Sequence, residues 1–572
     1  MMRTYFLVFE KTLDKIGSAK ILRKLPIGIQ DFEKLITKGF IYVDKTEYIY
    51  QLVQQNTPIF LSRPRRFGKS LLISTMKAYW QGKKELFKGL KIEELIEQTP
   101  PVNSANSAWL PYPVFHFDFD GGFYSNNSTA LESRLAEHLR FWEREYNINP
   151  YDFRNMYNVN KEERLGGLNE LGVRFRYLMM EAHRQTGQRV VVLVDEYDKP
   201  LLEVMQQPEL EQHNKSVFKG FFGSLKAADE YLEFLFITGV TKFEKVSIFS
   251  DLNQLEDISL DEEYAGICGI TEKELQDNFL PEIKRLAEKQ KISESEAIER
   301  LKITYDGYHF SSDFDVRVYN PFSLLNSLKK RKFDHYWFST GTPTFLAKRM
   351  VKNSFDVRKL MDGTLYADEQ RLSYYRADNV DLVPLLYQSG YLTIMAYDEK
   401  RRRYSLSFPN EEVKYGMLNS LLSVYVPQVV AKTGLDIFSL DEKLENGDLD
   451  GVKNIFIGLF ASIPYPNIGD DTARDPFENY FQGIFAVTLT LLGQFVVCEQ
   501  HIATGRIDCV IRTEQFIYIF EFKRDDSAEN ALKQIEDNGY ALPFVADKRT
   551  LYKIGVVFDS KNRTLKDWKV AE

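Results

Sequence analysis

A short apolar run followed by a loop and a Gly-Lys-Ser triplet constrains the first half of this 572-residue chain more than any other feature. The run from Ile59 to Leu61 has the composition of a buried strand, and the segment after Gly68 has apolar residues at helical spacing. A strand, a loop and a helix in this order are the setting of a phosphate-binding loop. The stretch therefore predicts an α/β unit with an anion site at one edge of its sheet.

Chemistry assigns roles to three residues of this loop. Backbone N–H groups from Gly68 onward and the helix N-terminus would face a phosphate, and Lys69 would reach the terminal phosphates of a nucleotide. The hydroxyl of Ser70 would bind Mg²⁺. The usual pattern, GxxxxGK[ST], has glycine where this chain has Arg63, so a plain strand–turn–helix with an exposed lysine is the alternative interpretation.

A second segment favours nucleotide binding. The run from Arg189 to Val194 is β-branched and aliphatic throughout and ends in Asp195 and Glu196, which is typical of a strand buried on both faces of a parallel sheet. Ligands bind at the carboxyl ends of such strands. Asp195 would hold Mg²⁺, directly or through water, and Glu196 would polarise the attacking water, although the two carboxylates could also simply mark a solvated strand end. We expect this strand to lie beside the strand that precedes Lys69.

Two more strand candidates complete the predicted sheet, at residues 113–119 and 231–239. The second ends in Thr238, whose hydroxyl could sense a γ-phosphate, or which could simply be a helix cap or part of a turn. Helices are expected at 128–145 and 168–184. Four strands separated by helical stretches indicate an α/β sheet of the P-loop class.

The loop also contains two adjacent arginines, Arg65 and Arg66, which would lie beside a bound γ-phosphate. They could stabilise charge in the transition state, as an arginine finger supplied by the same chain does. They could equally pair with Asp or Glu on a neighbouring helix and hold the shape of the loop. The sequence favours neither role.

From Thr271 onward the periodicity is helical, with a capping box at Thr271 and Glu274. The region to about residue 395 is mixed, largely helical and rich in aromatic residues, and residues 410–462 also predict helices. A loop is expected from Ser462 to Arg474.

The C-terminal part has a second set of candidate residues. A helix at 477–492 precedes strands at 495–499, 505–511 and 516–523, and the spacing of Asp508 and Glu521 suits adjacent antiparallel strands joined by a hairpin. Glu521 and Lys523 are two residues apart and share one face. Two carboxylates and a lysine on one face could bind Mg²⁺ and cleave phosphodiesters, with Asp508 and Glu521 as metal ligands and Lys523 beside the nucleophile. Taken alone, the Glu-x-Lys pattern also fits a solvated strand face.

Glu478 and Gln534, on flanking helices, are secondary candidates for this site. Net charge is −8, so any contact with nucleic acid must be local. Three dispersed cysteines indicate neither a zinc site nor a disulfide framework and fit a reducing, cytoplasmic setting. We expect no signal peptide and no membrane span.

With both sets of residues in view, the chain resembles a bacterial family that joins an AAA-ATPase-like domain to a C-terminal nuclease domain of the PD-(D/E)XK superfamily. The nuclease motif here reads Ile507-Asp508, without the proline of the superfamily name, and the arginine-rich loop resembles the family's own loop. The matching motifs lie at residues 25–28, 42–46, 62–70, 195–200, 305–308, 320–322, 337–341, 505–508 and 521–523.

The resemblance implies a leader at 1–24, an AAA-like P-loop ATPase domain at 25–265, a largely helical middle or lid region at 266–462 and a nuclease-like domain at 463–572. ATP and Mg²⁺ are the implied cofactors, nucleic acid is the implied substrate, and an oligomer is possible. The first hypothesis is an ATP-regulated nuclease that cleaves DNA or RNA. The alternatives are a nucleotide-dependent switch or interaction protein that binds nucleic acid without cutting it, and a nucleotide-binding scaffold with neither activity.

Overall fold

The computed structural model describes residues 24–571, apart from the following gaps: 56, 100–108, 126, 150–167, 243–254, 313, 339–343, 354, 362–364, 374–380, 426–436, 462–483, 485–486, 489–494, 503–504 and 560–563. The expected leader, the expected loop at 462–474 and the candidate Glu478 therefore lie outside the described residues. Among the described residues, no helix is both long enough and apolar enough to cross a membrane.

The first sheet has five parallel strands in the order β2-β3-β4-β1-β5. All side chains of β3 are buried, which confirms the prediction of a strand covered on both faces. In β2 the buried positions alternate with partly exposed ones, as its period-two pattern predicts. The strands are β1 (Ile59–Ser62), β2 (Val114–Asp118), β3 (Val190–Asp195), β4 (Leu232–Gly239) and β5 (Glu256–Asp257).

The order of these strands corrects one expectation. The strand before the phosphate-binding loop does not lie beside the strand that ends at Asp195, because β4 is inserted between β1 and β3 and forms hydrogen-bonded ladders with both. Hydrophobic patterns identify buried strands but not their neighbours, since the neighbours depend on the path of each crossover helix. As a result, the end of β4 at Thr238 and Gly239 lies between the ends of β1 and β3.

Helices cover both faces of this sheet. Within the described residues of the first half of the chain, the helices are Phe32–Thr37, Thr46–Gln54, Lys69–Trp80, Lys91–Gln98, Ala130–Glu145, Leu168–Thr186, Lys199–Leu202 and Pro208–Lys226, with 3-10 turns at Lys84–Phe87, Asp229–Tyr231 and Glu262–Tyr264. Phe117 of β2 packs at centroid distances of 4.8 to 5.3 Å against Trp142, Phe175 and Phe221 from three of these helices. The expected helices at 128–145 and 168–184 are confirmed.

The middle region is largely helical, as predicted, and the Thr271–Glu274 capping box is present. It also contains a three-stranded antiparallel sheet, β8-β10-β9, which the sequence analysis did not identify. The helices are Glu272–Gln290, Glu294–Tyr305, Pro321–Lys330, Thr344–Lys352, Arg358–Met361, Glu369–Ser373, Val383–Gln388, Glu411–Tyr425, Ile437–Glu445 and Leu449–Ala461; the strands are β6 (Ile270–Thr271), β7 (Val318–Tyr319), β8 (Leu365–Ala367), β9 (Thr393–Asp398) and β10 (Arg403–Ser407).

The C-terminal sheet has the order β11-β12-β13-β14-β15, with β13 and β14 parallel and the other pairs antiparallel. The expected hairpin between the strands of Asp508 and Glu521 is confirmed. The strands are β11 (Phe495–Ile502), β12 (Gly505–Arg512), β13 (Phe516–Arg524), β14 (Thr550–Asp559) and β15 (Thr564–Ala571), with a helix at Ala528–Asp537 and a 3-10 turn at Leu542–Phe544. The chain thus combines a P-loop-type parallel sheet, a mostly helical middle and a C-terminal α/β unit.

Candidate nucleotide-binding and nuclease sites

The phosphate-binding loop enters its helix through Gly68, whose φ of 100° lies in the region that favours glycine. Lys69 is the first residue of the helix and is buried. Its Nζ donates hydrogen bonds to the carbonyl oxygens of Arg63 at 3.0 Å and Pro64 at 3.1 Å. The alternative interpretation of this stretch, a turn with an exposed lysine, therefore does not describe the structure.

Arg63 explains how a loop without the first glycine keeps its shape. The side chain is 1% exposed, and its guanidinium donates to the carbonyl oxygens of Ser259 at 2.8 Å and Tyr264 at 3.0 Å. The same group lies 4.3 Å from the ring centroid of Phe310. Burial lowers the pKa of Arg63, and the hydrogen bonds and the aromatic contact offset part of the cost of that burial. Arg63 thus anchors the start of the loop to the segment after β5.

Asp195 and Glu196, the acidic pair, lie at the carboxyl end of β3. Because the strands are parallel, this is the same edge of the sheet as the phosphate-binding loop. Asp195 is 3% exposed and forms a hydrogen bond with the hydroxyl of Ser70. Burial raises the pKa of Asp195 to about 6, although the Ser70 hydrogen bond and the charge of Lys69 act in the opposite direction. Burial likewise raises the pKa of Glu196 to about 7. Ser70 and Asp195, which the sequence proposed as Mg²⁺ ligands, are thus in contact.

A cleft of about 630 Å³ opens beside the loop. The loop residues and Glu196 line its polar end, together with Asp120 and Lys199, which are joined by an ion pair of 2.6 Å. The sequence analysis identified neither Asp120 nor Lys199 as a site residue. A volume of this size lies within the range of small-molecule pockets.

The other end of the cleft is apolar, and its walls come from two distant parts of the chain. The segment 25–46, which contains two of the motifs noted in the sequence, contributes one wall. The middle region contributes the other, through side chains that the sequence analysis did not assign to the site, although residues 320–322 were noted as a motif. The apolar lining includes Ile27, Ile41, Phe279, Phe322 and Leu325.

Three further candidates have different placements. Arg65 and Arg66 are exposed and line the cleft, and the guanidinium of Arg66 lies 5.0 Å from the ring centroid of Phe322. Thr238 is fully buried, and its hydroxyl donates to the carbonyl oxygen of Leu61 at 2.8 Å. Thr238 thus binds the neighbouring strand and does not line the cleft, whereas both arginines do.

The second site lies on β12 and β13. The antiparallel register pairs Cys509 with Phe520, which sets Asp508 opposite Glu521. A carboxylate oxygen of Asp508 accepts the backbone N–H of Phe522 at 2.9 Å. The ammonium of Lys523 donates to Oε1 of Glu521 at 3.1 Å, which confirms that these two side chains share one face.

Gln534 joins this site from the helix Ala528–Asp537, because its Oε1 accepts a hydrogen bond from Lys523 at 2.5 Å. Its amide nitrogen lies 3.5 Å from the hydroxyl of Tyr540, which also accepts from Asn538 at 3.0 Å. Asp508, Glu521, Lys523 and Gln534 are therefore gathered together. Tyr540, which the sequence analysis did not identify, contacts this group through Gln534.

Both sites offer oxygen ligands that suit a hard divalent cation. Among the described residues there is no group of three or more His, Cys, Asp or Glu side chains that could enclose a metal ion. Mg²⁺ does not require one, because it usually binds through one or two carboxylates together with water and substrate phosphates. The Ser70–Asp195 pair and the Asp508–Glu521 pair both fit this requirement.

Comparisons with known proteins agree with this architecture. Residues 26–249 match the family model described as predicted AAA-ATPase, and residues 476–568 match that of the PD-(D/E)XK nuclease superfamily. An "Uncharacterized protein in vnfD 5'region" of Azotobacter chroococcum mcd 1 is 34% identical over 555 residues, covering 95% of this chain and 98% of the relative. The chain belongs to the AAA-ATPase-like family with a C-terminal PD-(D/E)XK domain. No solved structure matches it.

For this AAA-ATPase-like protein, the family assignment gives the two sites their context. The loop, the acidic pair and the wall of the cleft formed by the segment 25–46 fall almost entirely within the segment matched to the ATPase model, and the Asp508–Glu521–Lys523 group falls within the segment matched to the nuclease model. The middle region lies between the two matched segments, and it supplies Phe279, Phe322 and Leu325 to the nucleotide-side cleft. These domains suggest an ATPase combined with a nuclease.

Proposed function

We propose that this protein is a Mg²⁺-dependent nuclease that cleaves DNA or RNA phosphodiesters and is regulated by ATP bound at residues 65–70. The observation that carries the proposal is the group formed by Asp508, Glu521 and Lys523, in which two carboxylates face each other across a hairpin and an ammonium lies 3.1 Å from one of them. A metal ion and a cationic side chain at one phosphate are the usual requirements for phosphodiester hydrolysis.

The proposed nuclease residues have distinct roles. Asp508 and Glu521 hold Mg²⁺, which stabilises the negative charge of the transition state as a Lewis acid. Lys523 orients the attacking water and offsets the charge that develops on the phosphate. Gln534 fixes the ammonium of Lys523 through the 2.5 Å hydrogen bond. The attacking water loses a proton to solvent as it forms the new P–O bond, and the leaving oxygen takes a proton from solvent as the old bond breaks.

The proposed ATPase residues use the same logic at the first site. Lys69 binds the β- and γ-phosphates, Ser70 and Asp195 hold Mg²⁺, and Glu196 polarises the attacking water. The apolar end of the cleft takes the base. Arg65 and Arg66, exposed at the polar end, neutralise charge on the terminal phosphate, whereas Thr238 has a structural role on the buried side of the sheet.

Regulation is supported by contacts between the middle region and the C-terminal sheet. The hydroxyl of Tyr518 in β13 donates to the carbonyl oxygen of Leu444 at 2.5 Å, and the helix Leu449–Ala461 packs against β15. A P-loop domain supplies an element with two arrangements that a γ-phosphate can bias. Because an unregulated nuclease would damage its host, we infer that ATP controls access to, or the rate of, cleavage.

The test is degradation of labelled DNA and RNA by the purified protein with Mg²⁺ or EDTA, and with no nucleotide, ADP, ATP or a non-hydrolysable ATP analogue. We expect Mg²⁺-dependent cleavage that Asp508→Ala abolishes and whose rate depends on the nucleotide. Binding of nucleic acid without cleavage in every condition would contradict the nuclease and favour a switch. Equal cleavage rates by wild type and Lys69→Ala in all conditions would contradict regulation alone.

A further inference from the structure

The outer face of the phosphate-binding loop is covered by three aromatic residues of the middle region, Tyr308, Phe322 and Trp337, which we call the loop clamp. The ring of Phe67 lies 4.7 Å from that of Tyr308, and Arg66 lies over Phe322. The indole Nε1 of Trp337 donates to the carbonyl oxygen of Arg65 at 3.1 Å. Each clamp residue belongs to one of the sequence motifs noted above, at residues 305–308, 320–322 and 337–341.

Close packing beside the clamp leaves the loop little freedom. Gly390 has a φ of 85°, and a Cβ atom there would lie 2.7 Å from the Cβ of Pro64. The backbone of the middle region therefore approaches the loop as closely as a glycine allows. A loop enclosed in this way cannot change its shape unless the middle region moves with it.

The clamp also has a role in directing the loop's backbone carbonyls. The ammonium of Lys69 donates to the carbonyl oxygens of Arg63 and Pro64. The indole of Trp337 donates to that of Arg65, and the N–H of Gly269 donates to that of Phe67 at 3.0 Å. A carbonyl oxygen turned into the cleft would repel a phosphate, whereas N–H groups attract it. When Lys69 turns towards a bound nucleotide, the contacts from Trp337 and Gly269 remain to hold the loop.

Trp337 is connected in turn to the helix Glu411–Tyr425. Its backbone N–H donates to Oε1 of the buried Glu412 at 2.7 Å and lies 3.0 Å from the hydroxyl oxygen of Ser323. The neighbouring Phe338 packs against Gly416 so closely that a Cβ there would lie 2.3 Å from its ring. Trp337 thus joins the loop, through its indole, to the start of a long helix of the middle region, through its backbone N–H.

We propose that Trp337 is a positioning residue of the nucleotide site, and that the same contact passes the nucleotide state to the helix Glu411–Tyr425. This inference rests on the proposed function, because it deepens the way in which ATP would regulate the nuclease. The hydrogen bond from Trp337 puts the middle region in direct contact with the phosphate-binding loop. The nucleotide site is then incomplete without residues more than two hundred positions away in the sequence.

The test compares Trp337→Phe with Trp142→Phe, which removes an equally buried indole from the helix Ala130–Glu145. We expect Trp337→Phe to raise the ATP dissociation constant about threefold to tenfold, because the variant loses one hydrogen bond. The cleavage rate of this variant should also depend less on the nucleotide. Trp142→Phe should leave both quantities at the wild-type value. Calorimetry measures the first and the labelled-DNA assay the second, after thermal unfolding has shown that each variant is folded.

Equal ATP affinities and equal nucleotide responses for the two variants would overturn the proposal. If Trp337→Phe does not fold, Phe322→Leu replaces it, because Phe322 is only partly buried and its loss removes the contact with Arg66. That variant is expected to weaken ATP binding as well, and wild-type affinity in it would overturn the clamp. Failure of the wild-type protein itself to bind ATP would contradict the proposed function and not merely the clamp.

Discussion

The ammonium of Lys69 is bonded to Arg63, the residue that stands where phosphate-binding loops usually begin with glycine: Nζ lies 3.0 Å from the carbonyl oxygen of Arg63. The lysine thus closes the loop on itself. A nucleotide must replace this contact and the one to Pro64 with hydrogen bonds to phosphate. The exchange is favourable because hydrogen bonds between two charged groups are stronger than those from an ammonium to a neutral carbonyl.

Replacing Lys69 with alanine should weaken ATP binding by about 1.5–3 kcal/mol, the contribution of a charge-assisted hydrogen bond. Isothermal titration calorimetry measures this loss. The matched control is Lys226→Ala, which removes an exposed lysine from the last turn of the helix Pro208–Lys226. Wild-type affinity in Lys69→Ala would mean that the loop does not hold the phosphates.

Removing Asp508 should eliminate cleavage and leave the fold intact, because Asp508 is only partly buried and a metal ligand is lost. Lys523→Ala should slow cleavage by about two to three orders of magnitude and retain Mg²⁺ binding, since it removes charge stabilisation only. Glu514→Ala is the control, because this carboxylate is exposed at the tip of the same hairpin. An Asp508→Ala protein that cleaves at the wild-type rate would assign the activity to another site.

Restoring the common glycine through Arg63→Gly should destabilise the protein. The variant leaves the buried carbonyl oxygens of Ser259 and Tyr264 without the guanidinium, at about 1–3 kcal/mol for each group that stays unsatisfied. Urea denaturation should show a lower midpoint. Arg65→Gly, at an exposed position of the same loop, adds the same backbone freedom and should cost clearly less. Equal losses of stability in the two variants would contradict an anchoring role for Arg63.

The buried Glu412 should make stability depend on pH. Burial raises its pKa from 4.5 to about 7, although hydrogen bonds from Ser323 and the backbone of Trp337 act in the opposite direction. The folded state therefore binds the proton more tightly than the unfolded state, and this contribution to stability is lost as the pH rises from about 4.5 through 7. Its full size is on the order of 3 kcal/mol.

Glu412→Gln removes this titration. The difference in melting temperature between the variant and wild type should shift in favour of the variant between pH 5 and pH 8, measured by thermal unfolding. Glu411→Gln changes the exposed neighbouring carboxylate and serves as the control. A difference that stays constant across this range would show that the Glu412 carboxyl does not titrate there.

Local sequence determined the elements that carry the chemistry. The apolar run before Gly68 and the β-branched run before Asp195 each form the expected buried strand, because burial on both faces of a parallel sheet requires continuous hydrophobicity. The pairing of Asp508 with Glu521 also followed from spacing, since a short hairpin fixes its own register. The same period of two put Lys523 beside Glu521.

Only the tertiary structure decided which elements are neighbours. The insertion of β4 between β1 and β3 depends on crossover paths, and it turned the hydroxyl of Thr238 towards Leu61. The same holds for Trp337 and Arg65, which are joined by a 3.1 Å hydrogen bond across a long stretch of chain. Periodicity and spacing report the environment of each residue but not the identity of its distant partners, because packing selects those partners among many equally apolar surfaces. The sequence by itself therefore determined the two sets of reactive residues, and the fold decided what surrounds and connects them.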